Sequence, residues 1–174
     1  KFQALLDDME EEDLEAEEAM AFLSVAGEDH TGRAVILITA KNLKNARTEA
    51  DQDRILLYFM KVMEPFRCRP FVLVYAQSAV TEENAPDMTL VQNIFDLFTA
   101  RYKENMQQLY ILHASLMFRM YIWIALPFVS TPFWSNYVCV EDLLKLNDYM
   151  DVKSLLLSDV VTEHDRSVGG RFAM

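Results

Sequence analysis

The chain has 174 residues, enough for one domain with a single substantial core, and its 52% apolar content excludes a wholly disordered protein. The formal net charge of −11 is concentrated: nine of the 27 acidic residues lie between Asp7 and Glu18, leaving 18 acids against 16 bases elsewhere. A nearly neutral body excludes nucleic-acid binding through a broad basic face.

Residues 1–26 read as an acidic helical segment. Phe2, Leu5, Leu6 and Met9 fall at helical spacing, and Leu14, Met20, Phe22 and Leu23 continue it less regularly. Its acidic face is expected to be solvated, the alternatives being a dock for a basic partner or for a basic patch within the molecule. Residues 27–33 then read as a turn opening a domain over 27–168, with 169–174 as a tail. A chain that starts at Lys1 reads as a piece of a longer protein. No secretory signal pattern is visible, so a cytoplasmic location is expected.

Ala34–Thr39 is a short apolar run after turn residues, which suits a buried parallel strand. Asp51 can cap a helix whose apolar face carries Ile55, Leu56, Tyr58, Phe59, Val62 and Met63, ending near Pro65. Phe71–Ala76 is the second buried strand. Pro86 and Asp87 lead into a helix with Leu90, Val91, Ile94, Phe95, Leu97 and Phe98 on one side, and residues 109–112 form the third strand. Tyr137–Val140 is the fourth, followed by a short helix within 141–150 and a segment, 152–161, that drapes over the sheet. Strands alternating with helices of this length predict an α/β fold: a mostly parallel sheet of four to five strands covered by helices.

The strong enzymatic signatures are absent: no GxSxG elbow, GxGxxG after a strand, phosphate-binding GxxxxGK[ST] loop or HExxH pair occurs. His113 follows the third strand, where α/β enzymes place catalytic groups. With no nucleophile at a recognisable spacing, it reads as a hydrogen-bonded structural histidine, and a hydrolase or reductase role as the lesser alternative. His30 and His164 are expected in solvent. Cys68 and Cys139 show no metal-ligand spacing and read as buried reduced thiols. Glu82, Glu83 and Asp87 lack the spacing of a calcium loop and are assigned to the start of a helix and to solvent. Lys61, Arg67, Arg69, Arg101 and Lys103 fall at helix ends and complement helix dipoles, or else form a small patch for an anionic lipid or acidic partner. No cofactor or metal is expected.

The stretch from Leu109 to Val140 carries the sharpest signal. Between Met117 and Val129 the single charge is Arg119, while Phe118, Tyr121, Ile122, Trp123, Ala125 and Leu126 surround the helix. The uninterrupted apolar run 120–129 is 10 residues long and contains Pro127, too short for a membrane span of about 20. Two readings remain, a helix buried between layers or subunits and a movable wall over an apolar ligand cavity.

Taken in order, GRAVILITAKNL, then FVLVYAQSAVTEENAPDMTLVQNIF, then TARYKENMQQLYILHA, then the apolar helix ending in LPFVS and the strand YVCVEDLLKL resemble the CRAL-TRIO lipid-exchange fold. Within it they are similar to the BCH domain branch found in Rho GTPase-activating proteins and related scaffolds. The resemblance covers about residues 32–165. It departs at Ala114, where the branch has Pro after the His, and at Leu157-Ser158, where it has Ile-Pro.

The resemblance implies a non-enzymatic scaffold in signal transduction that binds a Rho-type small GTPase and self-associates as a dimer, with transient contact at membranes and no nucleic acid. It implies a gate helix over 118–128 and a bound lipid or prenyl group. The pocket would be walled by Leu73, Tyr75, Leu109 and Ile111 from the strands and closed by Phe118, Ile122, Ala125 and Leu126. Lys41, Asn42, Lys44 and Arg47, in the long polar connection after the first strand, are the candidate GTPase contacts. The alternative is a lipid-transfer or lipid-sensing module without a GTPase role.

Overall fold

The computed structural model describes residues 13–43, 48–125 and 137–172. Five strands form one sheet in chain order: β1 (Leu23–Glu28), β2 (Ala34–Thr39), β3 (Phe71–Ala76), β4 (Met106–Leu112) and β5 (Tyr137–Val140). β1 runs antiparallel to β2, and the three pairings that follow are parallel. Among the described residues the helices are α1 (Glu15–Glu18), α2 (Glu49–Met63), α3 (Met88–Arg101), α4 (Leu116–Ala125), α5 (Leu143–Leu146) and α6 (Asp159–Ser167). The expected α/β class and mostly parallel sheet are therefore present.

Local chemistry starts the two long helices. Thr48 caps α2, accepting from the Asp51 N–H (3.1 Å), while the Asp51 carboxylate accepts from the Thr48 N–H (3.2 Å). Asp51 is thus the inner half of a capping box, and Thr48 holds the cap position that the sequence suggested for Asp51. Asp87 caps α3, accepting from the N–H groups of Thr89 (2.8 Å) and Leu90 (3.3 Å).

Strands joined in sequential order by right-handed crossovers place every crossover helix on the same face of the sheet. The packing follows that rule. Ile36, Ile38, Phe71, Leu73, Leu109 and Ile111 share one core with residues of α2, α3 and α4. Val35, Leu37, Val72, Val74, Tyr110 and Leu112 point the other way, where none of the described crossover helices lies. That face is covered by the chain after β5, through Leu143, Leu146, Met150, Val152, Leu155 and Val161.

The N-terminal segment departs from the helical reading. Only Glu15–Glu18 is helical among its described residues, residues 1–12 lie outside them, and residues 23–28 are edge strand β1. Nor is the whole acidic face solvated. Glu17 is buried against Arg54 of α2, with Oε1 to Nε at 2.8 Å and Oε2 to Nη2 at 2.9 Å, and Arg54 Nη2 also donates to the Asp13 carbonyl. Of the cysteines, Cys68 is exposed and Cys139 half-buried, so neither is the buried thiol expected. Cys68 follows the short 3-10 turn Glu64–Phe66, outside the apolar runs that fill the core.

The β1–β2 turn is organised by Asp29. Its Oδ1 accepts from Thr31 N (2.8 Å), Thr31 Oγ1 (2.8 Å) and Arg33 N (3.0 Å), and its Oδ2 from Arg33 Nε (2.7 Å). Burial raises the Asp29 carboxyl pKa, and the bonds from Thr31 and Arg33 lower it by more, so it sits below its ordinary value. A folded-state pKa below the unfolded one contributes stability above the unfolded value, about 3.9, and that contribution fades as pH falls through the folded value. Asp29→Asn is expected to cost about 1–2 kcal/mol at neutral pH. Its deficit relative to wild type should shrink below pH ~4. Urea unfolding across that range checks both; a deficit independent of pH would mean that the charge contributes nothing.

Candidate functional site

Helix α4 begins at the carboxyl end of β4, after His113 and Ala114. Ser115 seats its first turn: its Oγ accepts from Phe118 N–H (3.1 Å) and its carbonyl from Arg119 N–H (3.0 Å). Phe118 and Ile122, one turn apart, face the sheet, where Ile122 is 7% exposed. Leu116, Met117, Met120 and Trp123 face outward at 75, 72, 53 and 77% exposure. The helix therefore presents apolar side chains both to the core and to solvent.

Beneath α4, the strand residues singled out from the sequence do lie together. Leu73 pairs with Leu109 and Tyr75 with Ile111, all four on the α4 side of the sheet. The Phe118 ring stacks on Tyr75 with centroids 5.8 Å apart and planes 27° apart. Burial pushes the Tyr75 hydroxyl up to about 12 despite a hydrogen bond with Gln77, so it remains neutral. Leu73, Leu109 and Ile111 are buried in the shared core. Ala125 is the last described residue of α4, and Leu126 lies outside the described residues.

An open cleft of about 350 Å³ lies one strand further along. It is lined by Arg119, Met120, Ile122 and Trp123 of α4 and by Tyr137 and Cys139 of β5. Among the described side chains, Ile122 is the one shared with the wall expected from the sequence. Leu109 pairs with Tyr137 and Ile111 with Cys139, so carrying the alternation of the two middle strands onto β5 finds both remaining strand residues. Arg119 is half-buried, and its Nε donates to the Ala114 carbonyl (3.3 Å).

The candidate GTPase contacts divide. Lys41 is exposed on the 3-10 turn Ala40–Asn42 after β2. Asn42 is tied to the fold by a bond from Nδ2 to the Ala21 carbonyl (3.1 Å), while Lys44 and Arg47 lie outside the described residues.

His113 belongs to a buried chain that the sequence could not assemble. Its Nδ1 lies 2.7 Å from Ser78 Oγ, and its Nε2 lies 3.0 Å from Asp165 Oδ1. Asp165 Oδ1 also accepts from the Leu143 N–H at 2.8 Å. An ionised carboxylate only accepts, so with Asp165 ionised Nε2 carries a proton, and in the neutral ring Nδ1 then accepts from the Ser78 hydroxyl. These are the residue types of a nucleophilic triad, yet Ser78 is 0% exposed and its hydroxyl is closed to substrate. The arrangement joins the ends of β3 and β4 to α5 and α6. His164, expected in solvent, lies on α6 with its ring 4.9 Å from that of His113. Burial lowers its pKa, His113 and Lys41 lower it further, and Asp165 opposes them.

Among the described residues, no group of His, Cys, Asp and Glu forms a metal site, and no helix is long and apolar enough to cross a membrane.

Similar proteins extend this picture. The Rho GTPase-activating protein gacY of Dictyostelium discoideum is 31% identical over 147 residues, 84% of this chain and 20% of that protein. Ganglioside-induced differentiation-associated protein 2 is 27% identical in Xenopus tropicalis and 26% in Homo sapiens, in each case over 161 residues, 92% of this chain and 32% of that protein. The chain thus spans a fifth to a third of the length of these relatives. The crystal structure of Sfh5 matches with a TM-score of 0.62 at 14% identity, covering 81% of this chain and 55% of that one, a likeness of fold. The family model for a divergent CRAL/TRIO domain matches residues 32–167, from the β1–β2 turn to the end of α6, and the chain accordingly belongs to the divergent CRAL/TRIO domain family.

Proposed function

We propose that this domain is a non-catalytic scaffold that binds a Rho-type small GTPase and shelters a lipid or prenyl tail against α4. The observation that carries the reading is the double-sided apolar character of α4. Phe118 and Ile122 anchor it to the sheet, while Met120 and Trp123 extend from the rim of an apolar cleft into solvent. A helix serving only the core does not display large apolar side chains on its outer surface in this number.

The GTPase half rests on the similarity to a protein named as a Rho GTPase-activating protein. Lys41 is the exposed cation offered to the partner at the carboxyl end of the sheet, where loops carry binding residues on a rigid frame. The outward face of α4 is also available for self-association and for transient membrane contact, consistent with a cytoplasmic protein that visits membranes. The burial of Ser78 and the paired state of His113 support a structural rather than catalytic role for that trio.

Native mass spectrometry of the domain, alone and mixed with prenylated or unprenylated Rho-type GTPase, tests the reading. The expected result is a complex strengthened by prenylation, with subunit count and bound lipid read from the same spectra. A lipid-loaded domain indifferent to both GTPase forms would replace the scaffold with a lipid-transfer module.

A further inference from the structure

We infer that the cleft between α4 and β5 selects a single-chain lipid with an anionic head, the head held by the Arg119 guanidinium. The inference rests on the reading of the domain as a lipid-holding module and adds the class of ligand. Met120, Ile122 and Trp123 supply apolar wall from α4, and Tyr137 and Cys139 supply the floor from β5. Among the described residues, Arg119 is the one charged residue in the lining, and no ion pair joins it to a carboxylate. Its charge reaches the cleft floor. Burial raises the Cys139 thiol pKa, and Arg119 draws it part of the way back.

An anion entering with its own apolar chain pairs with the half-buried guanidinium while the chain covers the apolar walls beside it. A neutral lipid covers the walls but leaves the guanidinium without a counter-charge. Size sets the second constraint. At about 30 Å³ for a group the size of water, about 350 Å³ takes on the order of ten such groups, most of one acyl chain, with the end of a longer chain left at the open mouth.

The chain carries its own reporter. Cys139 lines the cleft, whereas Cys68 is exposed and is not part of the lining, so alkylation followed by mass spectrometry compares a protected thiol with an internal control. Myristate is expected to slow alkylation of Cys139 at about tenfold lower concentration than methyl myristate, the worth of one charge-assisted contact, with Cys68 unaffected. Arg119→Gln should bring the two lipids within about twofold of each other, and Arg119→Lys should restore the preference for the anion. Equal protection by both lipids in the wild type would overturn the inference and leave the lipid-holding reading standing. Failure of both lipids to protect Cys139 would overturn the two together.

Discussion

Asp165→Ala is expected to lower the unfolding free energy by about 3–5 kcal/mol, a large share of the roughly 5–15 kcal/mol that holds a domain together. The substitution removes the acceptor for two buried donors, His113 Nε2–H and the Leu143 N–H, and leaves both without a partner. An orphaned buried donor costs about 1–3 kcal/mol. Two orphans plus the void left by the carboxylate account for the total. The damage should also be directional. Asp165 anchors α6 to the first turn of α5 and to the end of β4, so exchange of the Leu143 amide hydrogen should accelerate more than that of the β2–β3 ladder. Urea unfolding gives the magnitude and hydrogen exchange gives the location. A loss below about 1 kcal/mol would mean that the trio contributes little to the fold.

The same residues explain why the glycine after α6 has no substitute. The Gly170 N–H donates to the Asp165 carbonyl at 2.8 Å, and a Cβ on Gly170 would overlap the Asp165 carboxylate. The chain must therefore pass against Asp165 with hydrogen alone at that position. His113 adopts φ +55°, and Ala79, next to Ser78, φ +56°. Both lie in the left-handed region that residues with a Cβ enter at a cost, so the network holds two strained corners in place. One of those corners leads directly into α4.

What could be read from the sequence, and what could not, divides along physical lines. Parallel strands covered on both faces are apolar on both and announce themselves as continuous runs, so the buried Ala34–Thr39 and Phe71–Ala76 and the half-buried Tyr137–Val140 were visible to the residue. β1 was hidden because the register shifts between Val25 and Gly27, leaving Ala26 opposite no partner. That bulge buries Leu23 and Ala26 while Val25 faces solvent, a spacing of three that imitates a helix. α6 was hidden because its buried side is only Val161, Thr162 and Asp165, and the last of these reads as polar surface until its partners are known. Those partners are separated from one another by 35 and 52 residues, a distance no local pattern spans. The cleft was displaced by one strand for a related reason. The alternation that placed Tyr75 and Ile111 against α4 also governs β5, but strand order places Tyr137 and Cys139 at the edge, where they line the open cleft.

Adjacent residues on α4 separate what the helix does for the fold from what it does for a ligand. Ile122 is buried in the core, and Ile122→Ala is expected to destabilise the domain by about 2–4 kcal/mol through lost contacts and a cavity. Trp123 is 77% exposed, so Trp123→Asp should leave unfolding within about 0.5 kcal/mol of wild type. Its effect on binding should be the reverse of its effect on stability. An exposed tryptophan at the rim of an apolar cleft is the residue most able to lose surface to a prenyl chain, and truncating such an anchor weakens association by about tenfold or more. The loss should fall on the prenylated GTPase alone, because the unprenylated form has no chain to offer. Titration of both forms against both variants reads this out. Equal weakening of the two GTPase forms by Trp123→Asp would place the outer face of α4 at the protein interface and remove it from the lipid site, while an unchanged affinity for each form would remove it from both.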